Sequence, residues 1–149
     1  MVPERFDKIA EFRFKANPDQ LRQVRNVVRA AVANKGCTQE LTEGIVLAVD
    51  EANANIIRHG YGAGKGDDII LEIFHSQTDL IIRLTDFAAP VDESALQPRD
   101  LADIKPGGLG VHLIREIMDE FKYLETPSGV GNILEMRKKI IPNQKPIEK

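Results

Sequence analysis

The chain has 149 residues, 42% apolar and 29% charged, a size and balance suited to one soluble globular domain with a real core. A net charge of −3 and a pI near 5.6 exclude a global basic field for nucleic acid or an anionic membrane, and few aromatics with no tryptophan leave little for base stacking. The single cysteine, Cys37, excludes an internal disulfide. With no signal peptide and no apolar run near ~18 residues, the expected compartment is the cytoplasm.

Residues 6–14 alternate apolar and polar toward their end, with Phe12 and Phe14 on one face, which predicts a strand. Asn17-Pro18 predicts a helix start, Asn17 capping and Pro18 in the first helical position. Leu21, Val24, Val28, Ala31 and Val32 then recur at helical spacing, and Gly36 suits the stop. Cys37 reads as a small filler beside a helix end, since nothing around it would activate a thiol. Thr38 or Gln39 opens a longer helix that runs to about His59 and closes at Gly60. Its apolar stripe is Leu41, Ile45, Ala48, Ala52 and Ile56.

That helix carries Glu51-Ala52-Asn53-Ala54-Asn55. At about 100° per residue, Asn55 lies roughly 60° and Glu51 roughly 100° from Ala52, on the same side of the stripe. A carboxylate and an amide therefore stand together where buried surface meets a cleft. They suit a proton acceptor and a metal ligand, and equally two solvated polar residues. Asp50, about 100° further round, is a secondary candidate for the base.

Residues 60–66, Gly-Tyr-Gly-Ala-Gly-Lys-Gly, read as a flexible connector. A phosphate-binding P-loop is excluded, because Gly66 follows Lys65 where Ser or Thr is needed and His59 stands where the first glycine belongs. Asp68–Phe74 and Asp79–Thr85 read as a hairpin of strands around Ser76-Gln77-Thr78-Asp79, which delivers Asp86 at its end. Residues 87–106 lose periodicity and gather Pro90, Pro98 and Pro106, the signature of a functional loop or lid. Gly107-Gly108-Leu109-Gly110 opens a helix carrying Val111, Ile114, Ile117 and Met118. Phe121–Glu125 and Asn132–Ile140 read as two more strands around Thr126-Pro127-Ser128-Gly129. Residues 1–141 then form one domain, and 142–149 a polar tail. The predicted fold class is α+β: a two-layer α/β sandwich with a mixed, mostly antiparallel sheet covered on one face by three helices.

Three spots are candidates for chemistry: Glu51 with Asn55, Asp86 at a strand end, and the glycines before the last helix, although alone a strand-end aspartate reads as a turn starter and such a glycine cluster as a joint. Backbone N–H groups at a helix N-terminus favour phosphate, and glycines let that backbone approach. An aspartate at the mouth of an apolar strand accepts a hydrogen bond from an exocyclic amine such as that of adenine. An asparagine oxygen is a hard ligand suited to Mg²⁺, and a neighbouring glutamate can take the proton of an attacking hydroxyl. Together these describe a nucleotide site. His59 and His112 read as helix-end or surface residues, and no His/Cys cluster has zinc spacing. Lys105 either reaches a phosphate from the lid or is simply solvated.

Glu51-Ala-Asn-Ala-Asn-Ile-Ile-Arg-His-Gly-Tyr61 resembles the N box of the GHKL ATPase/kinase superfamily, and more narrowly that of the bacterial anti-sigma-factor serine/threonine kinases. Asp86-Phe-Ala-Ala-Pro-Val-Asp92 resembles their G1 box, and Gly107 to Phe121 their G2 box with its helix. Gly131-Asn-Ile-Leu-Glu-Met136 stands where they carry a final glycine-led strand. The likeness covers nearly the whole chain, in order. It implies the Bergerat ATP-binding fold, with ATP and Mg²⁺ as cofactors. It implies Asn55 as the Mg²⁺ ligand, Glu51 as the general base, Asp86 as the adenine reader, and Gly108 and Gly110 facing phosphate. The candidate nucleotide contacts are Asn55, Asp86, Ala88, Lys105, Gly107, Gly108, Leu109 and Gly110. The implied partners are a small anti-anti-sigma (STAS-type) protein phosphorylated on serine or threonine, a sequestered sigma factor, and a second copy in a homodimer.

The chain departs from the pattern at the G1 box, where Asp-x-Gly-x-Gly is replaced by Asp86 with Ala88 and Pro90, and at Asn132, where many relatives carry threonine. Ala88 is small enough for adenine to approach, whereas Pro90 stiffens the loop. The altered loop motivates an alternative, a regulatory module that holds nucleotide or nothing and acts by occluding its partner.

Overall fold

A computed structural model of the chain describes residues 5–60, 67–88, 108–127 and 131–140. The predicted connector at 61–66, the lid at 93–106 and the tail at 142–149 lie outside them. Five strands, β1 (Asp7–Lys15), β2 (Asp68–His75), β3 (Asp79–Asp86), β4 (Glu120–Leu124) and β5 (Asn132–Lys139), form one sheet in the order β1-β2-β3-β5-β4. Every pairing among the described residues is antiparallel, so the sheet is more uniform than the mixed one expected. Three α-helices lie among the described residues: α1 (Leu21–Val32), α2 (Gln39–Asn55) and α3 (Gly108–Ile117).

The strand alternation explains the core. Residues two apart share a face, so Phe12, Leu71, Leu84, Leu134 and Tyr123 align across all five strands, and Ala10, Ile73, Ile82, Met136 and Phe121 form the next row. These rows are packed under Val24, Val28 and Val32 of α1, Ile45, Ala48 and Ala52 of α2, and Ile114 of α3. The same alternation carries the face to its end in the row Phe14, Ile69, Asp86 and Asn132. Asp86 and Asn132 are thus on the core side of the sheet, 4% and 6% exposed, because of their parity with Leu84 and Leu134.

Local signals behave largely as predicted. The Asn17 side chain accepts from the Asp19 N–H, and a 3-10 turn at Pro18–Gln20 precedes α1. Thr38 caps α2, its Oγ1 accepting the Leu41 N–H at 3.0 Å. Gly36 takes φ 84°, the left-handed region open to glycine, between the two helices. The end of α2 differs from expectation. Regular α-helix stops at Asn55, and Ile56–Gly60 form a π-helical turn in place of a continuous run to His59.

Direction decides what meets what. Arg29 pairs with Glu43 and Arg25 with Asp50, so α1 and α2 are antiparallel. Ile117 at the end of α3 packs beside Gly44 near the start of α2, and the two helices run alongside each other, so they are antiparallel too. The ends of β1, α2 and β3 and the starts of α3, β2 and β5 therefore gather at one end of the sandwich.

The other end is structural. Arg137 Nε donates to Asp79 Oδ2 at 2.6 Å, and Ser76 Oγ accepts the Asp79 N–H at 3.0 Å to close the β2–β3 hairpin. The His75 side chain is half-buried there. Burial holds its imidazole below the usual value of 6.5, helped by nearby Lys35 and opposed by Asp7. A histidine that resists protonation when folded contributes stability that is complete above its unfolded pKa and is lost as pH falls. Urea unfolding from pH 8 to pH 5 should therefore show stability dropping below about pH 6.5, with a smaller drop in His75→Phe.

Asn53 is fully buried on the flank of α2 away from α3, and neither its Oδ1 nor its Nδ2 has a hydrogen-bond partner among the described residues. An unpartnered buried amide is destabilising relative to an apolar side chain of the same volume. Asn53→Leu should raise the unfolding free energy by about 1–2 kcal/mol, measured by urea titration.

Candidate functional site

The polar flank of α2 is built by the predicted register. Gly44, Glu51 and Asn55 lie within about 40° of one another around the helix axis, and Gly44 is the residue packed on α3. Glu51 and Asn55 therefore belong to the flank of α2 that turns toward α3. From Gly44 to Asn55 is about 16 Å along the helix, and from Ile117 back to Gly108 about 14 Å. Antiparallel packing thus brings the start of α3 to the level of Asn55.

Glu51 is half-buried and makes no hydrogen bond or ion pair among the described residues, which leaves its carboxylate available as a proton acceptor. Asn55 Oδ1 accepts from Arg58 Nη2 at 3.0 Å. Arg58, three residues on and so on an adjacent part of the surface, was not singled out from sequence; the signal was its i+3 spacing. Asp50 is drawn away from this flank, because its Oδ1 takes Arg25 Nη1 of α1 at 3.1 Å. Cys37 is half-buried, with burial pushing its thiol up and away from reactivity. His112 is exposed.

Asp86 is the last residue of β3, as predicted, and its surroundings are specific. Its Oδ1 accepts the Ala88 N–H and Asn132 Nδ2, each at 3.0 Å. Burial pushes the carboxyl up from its usual value, and those two hydrogen bonds pull it back. The Gly131 N–H donates to the Asp86 carbonyl at 3.0 Å. A Cβ on Gly131 would stand 2.0 Å from the Ala88 carbonyl oxygen, so only glycine lets β5 pass this close to the Phe87–Ala88 backbone. Ala88, where the sequence departs from glycine, is 8% exposed. The Gly131 contact was not legible in sequence, because it joins segments more than forty positions apart.

Gly108, Leu109 and Gly110 form the first turn of α3, whose N–H groups have no partner within the helix. That is a position suited to an anion. Gly107, Lys105 and Pro90 lie outside the described residues. Among the described residues no three His, Cys, Asp or Glu side chains form a metal-binding group, and no helix is long and apolar enough to cross a membrane. A divalent cation here would rest on Asn55 Oδ1 together with oxygens of the bound ligand. The donor is hard and suits Mg²⁺, once the Arg58 hydrogen bond is given up.

Residues 14–138, from the end of β1 to the end of β5, match the histidine kinase-like ATPase domain family. The chain belongs to this family. Within it the chain is one of the bacterial anti-sigma-factor serine/threonine kinase group. It is 31% identical over 118 residues to the serine-protein kinase RsbW of Halalkalibacterium halodurans, covering 73% of this chain and 70% of that protein. It is 30% identical over 139 residues to the anti-sigma F factor of a Thermoanaerobacter strain, covering 91% of this chain and 96% of that protein. The serine/threonine-protein kinase BtrW of Bordetella bronchiseptica is 32% identical over 83 residues, 53% of this chain and 58% of that protein.

Gly131→Ala should force the Phe87–Ala88 backbone away from β5 and displace Asp86 with it. The expected cost is about 1–3 kcal/mol, read as a lower midpoint in urea. Gly44→Ala, whose Cβ would meet Ile117 at an ordinary 3.6 Å, should leave the midpoint unchanged or slightly raised.

Proposed function

We propose that this protein is an ATP- and Mg²⁺-dependent serine/threonine kinase of the anti-sigma type. It phosphorylates a small anti-anti-sigma partner and, in its other state, holds a sigma factor. The observation that carries this reading is the convergence at one end of the sandwich of the Glu51 carboxylate, without a partner among the described residues, the Asn55 amide, the first turn of α3 and the buried Asp86. The names of the relatives support it: two are called serine or serine/threonine kinases and one an anti-sigma factor. Residues 1–141 act as one ATP-binding domain, in the cytoplasm, and the working unit is a homodimer.

Asp86 and Ala88 would hold adenine, and Gly108, Leu109 and Gly110 at the start of α3 the phosphates, with Gly107 and Lys105 assigned to the phosphates from sequence alone. Mg²⁺ held on Asn55 supplies charge neutralisation at the phosphates. Arg58, which now holds the Asn55 amide, would be free to pair with a phosphate oxygen when Asn55 serves as the ligand. Glu51 takes the proton of the partner hydroxyl. The hydroxyl oxygen bonds to the γ-phosphorus as the bond to the bridging oxygen breaks, which leaves ADP and a phosphorylated side chain.

The roles separate by mutation. Glu51→Gln should bind Mg·ATP as the wild type does and transfer phosphate about 10²–10⁴-fold more slowly, whereas Asn55→Ala should lose Mg·ATP binding. Calorimetry with Mg·ATP and labelled-phosphate transfer to cognate anti-anti-sigma domains check both. Equal loss of binding in the two variants would sink this division of labour. Absence of ATP binding by the wild type would leave a nucleotide-free module that acts by occlusion.

Asp86 carries its own signature. Because burial penalises its charged form, Asp86→Asn should unfold at a higher denaturant concentration at pH 7 while losing ATP affinity. Urea unfolding and calorimetry on the one variant check both halves.

A further inference from the structure

The outward face of α2 carries an apolar side chain that the fold does not use. Leu47 is 44% exposed, and among the described residues no other large apolar side chain is exposed. A lone exposed leucine is ordinary, so its position is what matters. With Ala52 as the centre of the buried stripe, Leu47 lies about 140° away and Glu51 about 100° away on the same side, which makes them neighbours one turn apart. Ala54, half-buried, continues the line on the next turn. The Glu51 carboxylate therefore stands between two apolar positions on the rim of the candidate site.

The charges that border Leu47 are engaged elsewhere. Glu43, one turn before it, has both carboxylate oxygens taken by Arg29, at 2.6 and 3.0 Å. Asp50, three residues after it, is paired with Arg25 at 3.1 Å. Toward α3 stands Gly44, which has no side chain to cover the leucine. An apolar group settling on Leu47 thus leaves neither of those carboxylates without its partner, which removes the main penalty of covering such a spot.

We propose that Leu47 is the docking anchor for the phosphoacceptor protein, which meets it with an apolar side chain carried about 5–6 Å from the acceptor hydroxyl. This rests on the reading of Glu51 as the base that takes the hydroxyl proton. A serine or threonine oxygen is one bond beyond Cβ, so the acceptor backbone must come down onto the rim for that oxygen to reach Glu51. A folded acceptor is far wider than one helical turn, and in reaching Glu51 it covers Leu47 as well. The candidate nucleotide contacts lie the other way along α2, toward Asn55 and the start of α3. Leu47 therefore serves the protein substrate and not ATP.

Phosphate transfer to the anti-anti-sigma domain that wild type labels, measured against the concentration of that domain, tests this. The proteins are wild type, Leu47→Met, Leu47→Ala and Leu47→Asp, each also taken through Mg·ATP calorimetry, urea unfolding and gel filtration. The acceptor KM should stay near wild type in Leu47→Met, rise several-fold in Leu47→Ala and rise about tenfold or more in Leu47→Asp. In all three, kcat, Mg·ATP affinity and the urea midpoint should match wild type, the pattern of an interaction made equally before and during transfer. An unchanged acceptor KM in Leu47→Asp overturns the proposal and leaves the kinase reading intact. A change of oligomeric state at unchanged KM also overturns it, and assigns Leu47 to a second copy of the chain. Should Leu47→Asp not fold, Leu47→Ala decides by the same readout. A wild type that labels no anti-anti-sigma domain overturns the kinase reading and this proposal together.

Discussion

A carboxylate at the end of an apolar row sets the geometry of this molecule. Asp86 continues the parity of Leu80, Ile82 and Leu84, so folding the sheet onto its helices buries it whether or not a ligand is present. Desolvation of an ionised carboxyl is costly unless donors meet it. Here they come from one residue just ahead in the same segment, Ala88, and one on the neighbouring strand, Asn132. The resulting contacts draw β5 against the Phe87–Ala88 backbone until nothing larger than glycine fits at position 131.

The helix layer supplies the rest by direction alone. Two antiparallel helix contacts and an antiparallel sheet bring several chain reversals to each end of the sandwich. One end collects the interlocked hairpin groups Ser76, Thr78, Asp79 and Arg137, which serve stability. The other collects the end of α2, the end of β3 and the starts of α3 and β5, with the N–H groups of the first turn of α3 unpaired within that helix and Asp86 and Asn132 buried against each other. This separation lets the candidate site keep, at Glu51, a carboxylate without a partner among the described residues.

Helix α2 joins the two layers of this design. Its apolar stripe seals the core, and its two flanks differ in kind. On one side Asp50 and Glu43 are bound to Arg25 and Arg29, so that flank is fixed to α1. On the other, among the described residues Glu51 makes no hydrogen bond or ion pair and Asn55 is held by Arg58. The ion pair with Arg25 draws Asp50 toward α1 and leaves Glu51 as the candidate base on the flank that turns toward α3. The π-helical turn that follows Asn55 widens the helix there, a local irregularity of the kind found at functional sites.

The sequence by itself determined the elements and the candidate residues. Period two gave the strands that end at Asp86 and begin at Asn132. Period 3.6 gave α2 with Glu51 and Asn55 on one flank, and the caps at Asn17 and Thr38 stood where side-chain chemistry required them. Such signals are local, because backbone geometry repeats over a few residues. Only the tertiary structure decided which of those residues meet. The pairing of Asp50 with Arg25, the bond from Asn132 to Asp86 and the glycine-only approach at position 131 each join parts of the chain at least 25 positions apart. Sequence pattern carries no distance information across such separations. The strand register and the antiparallel helix directions that create these contacts exist only once the apolar rows are packed.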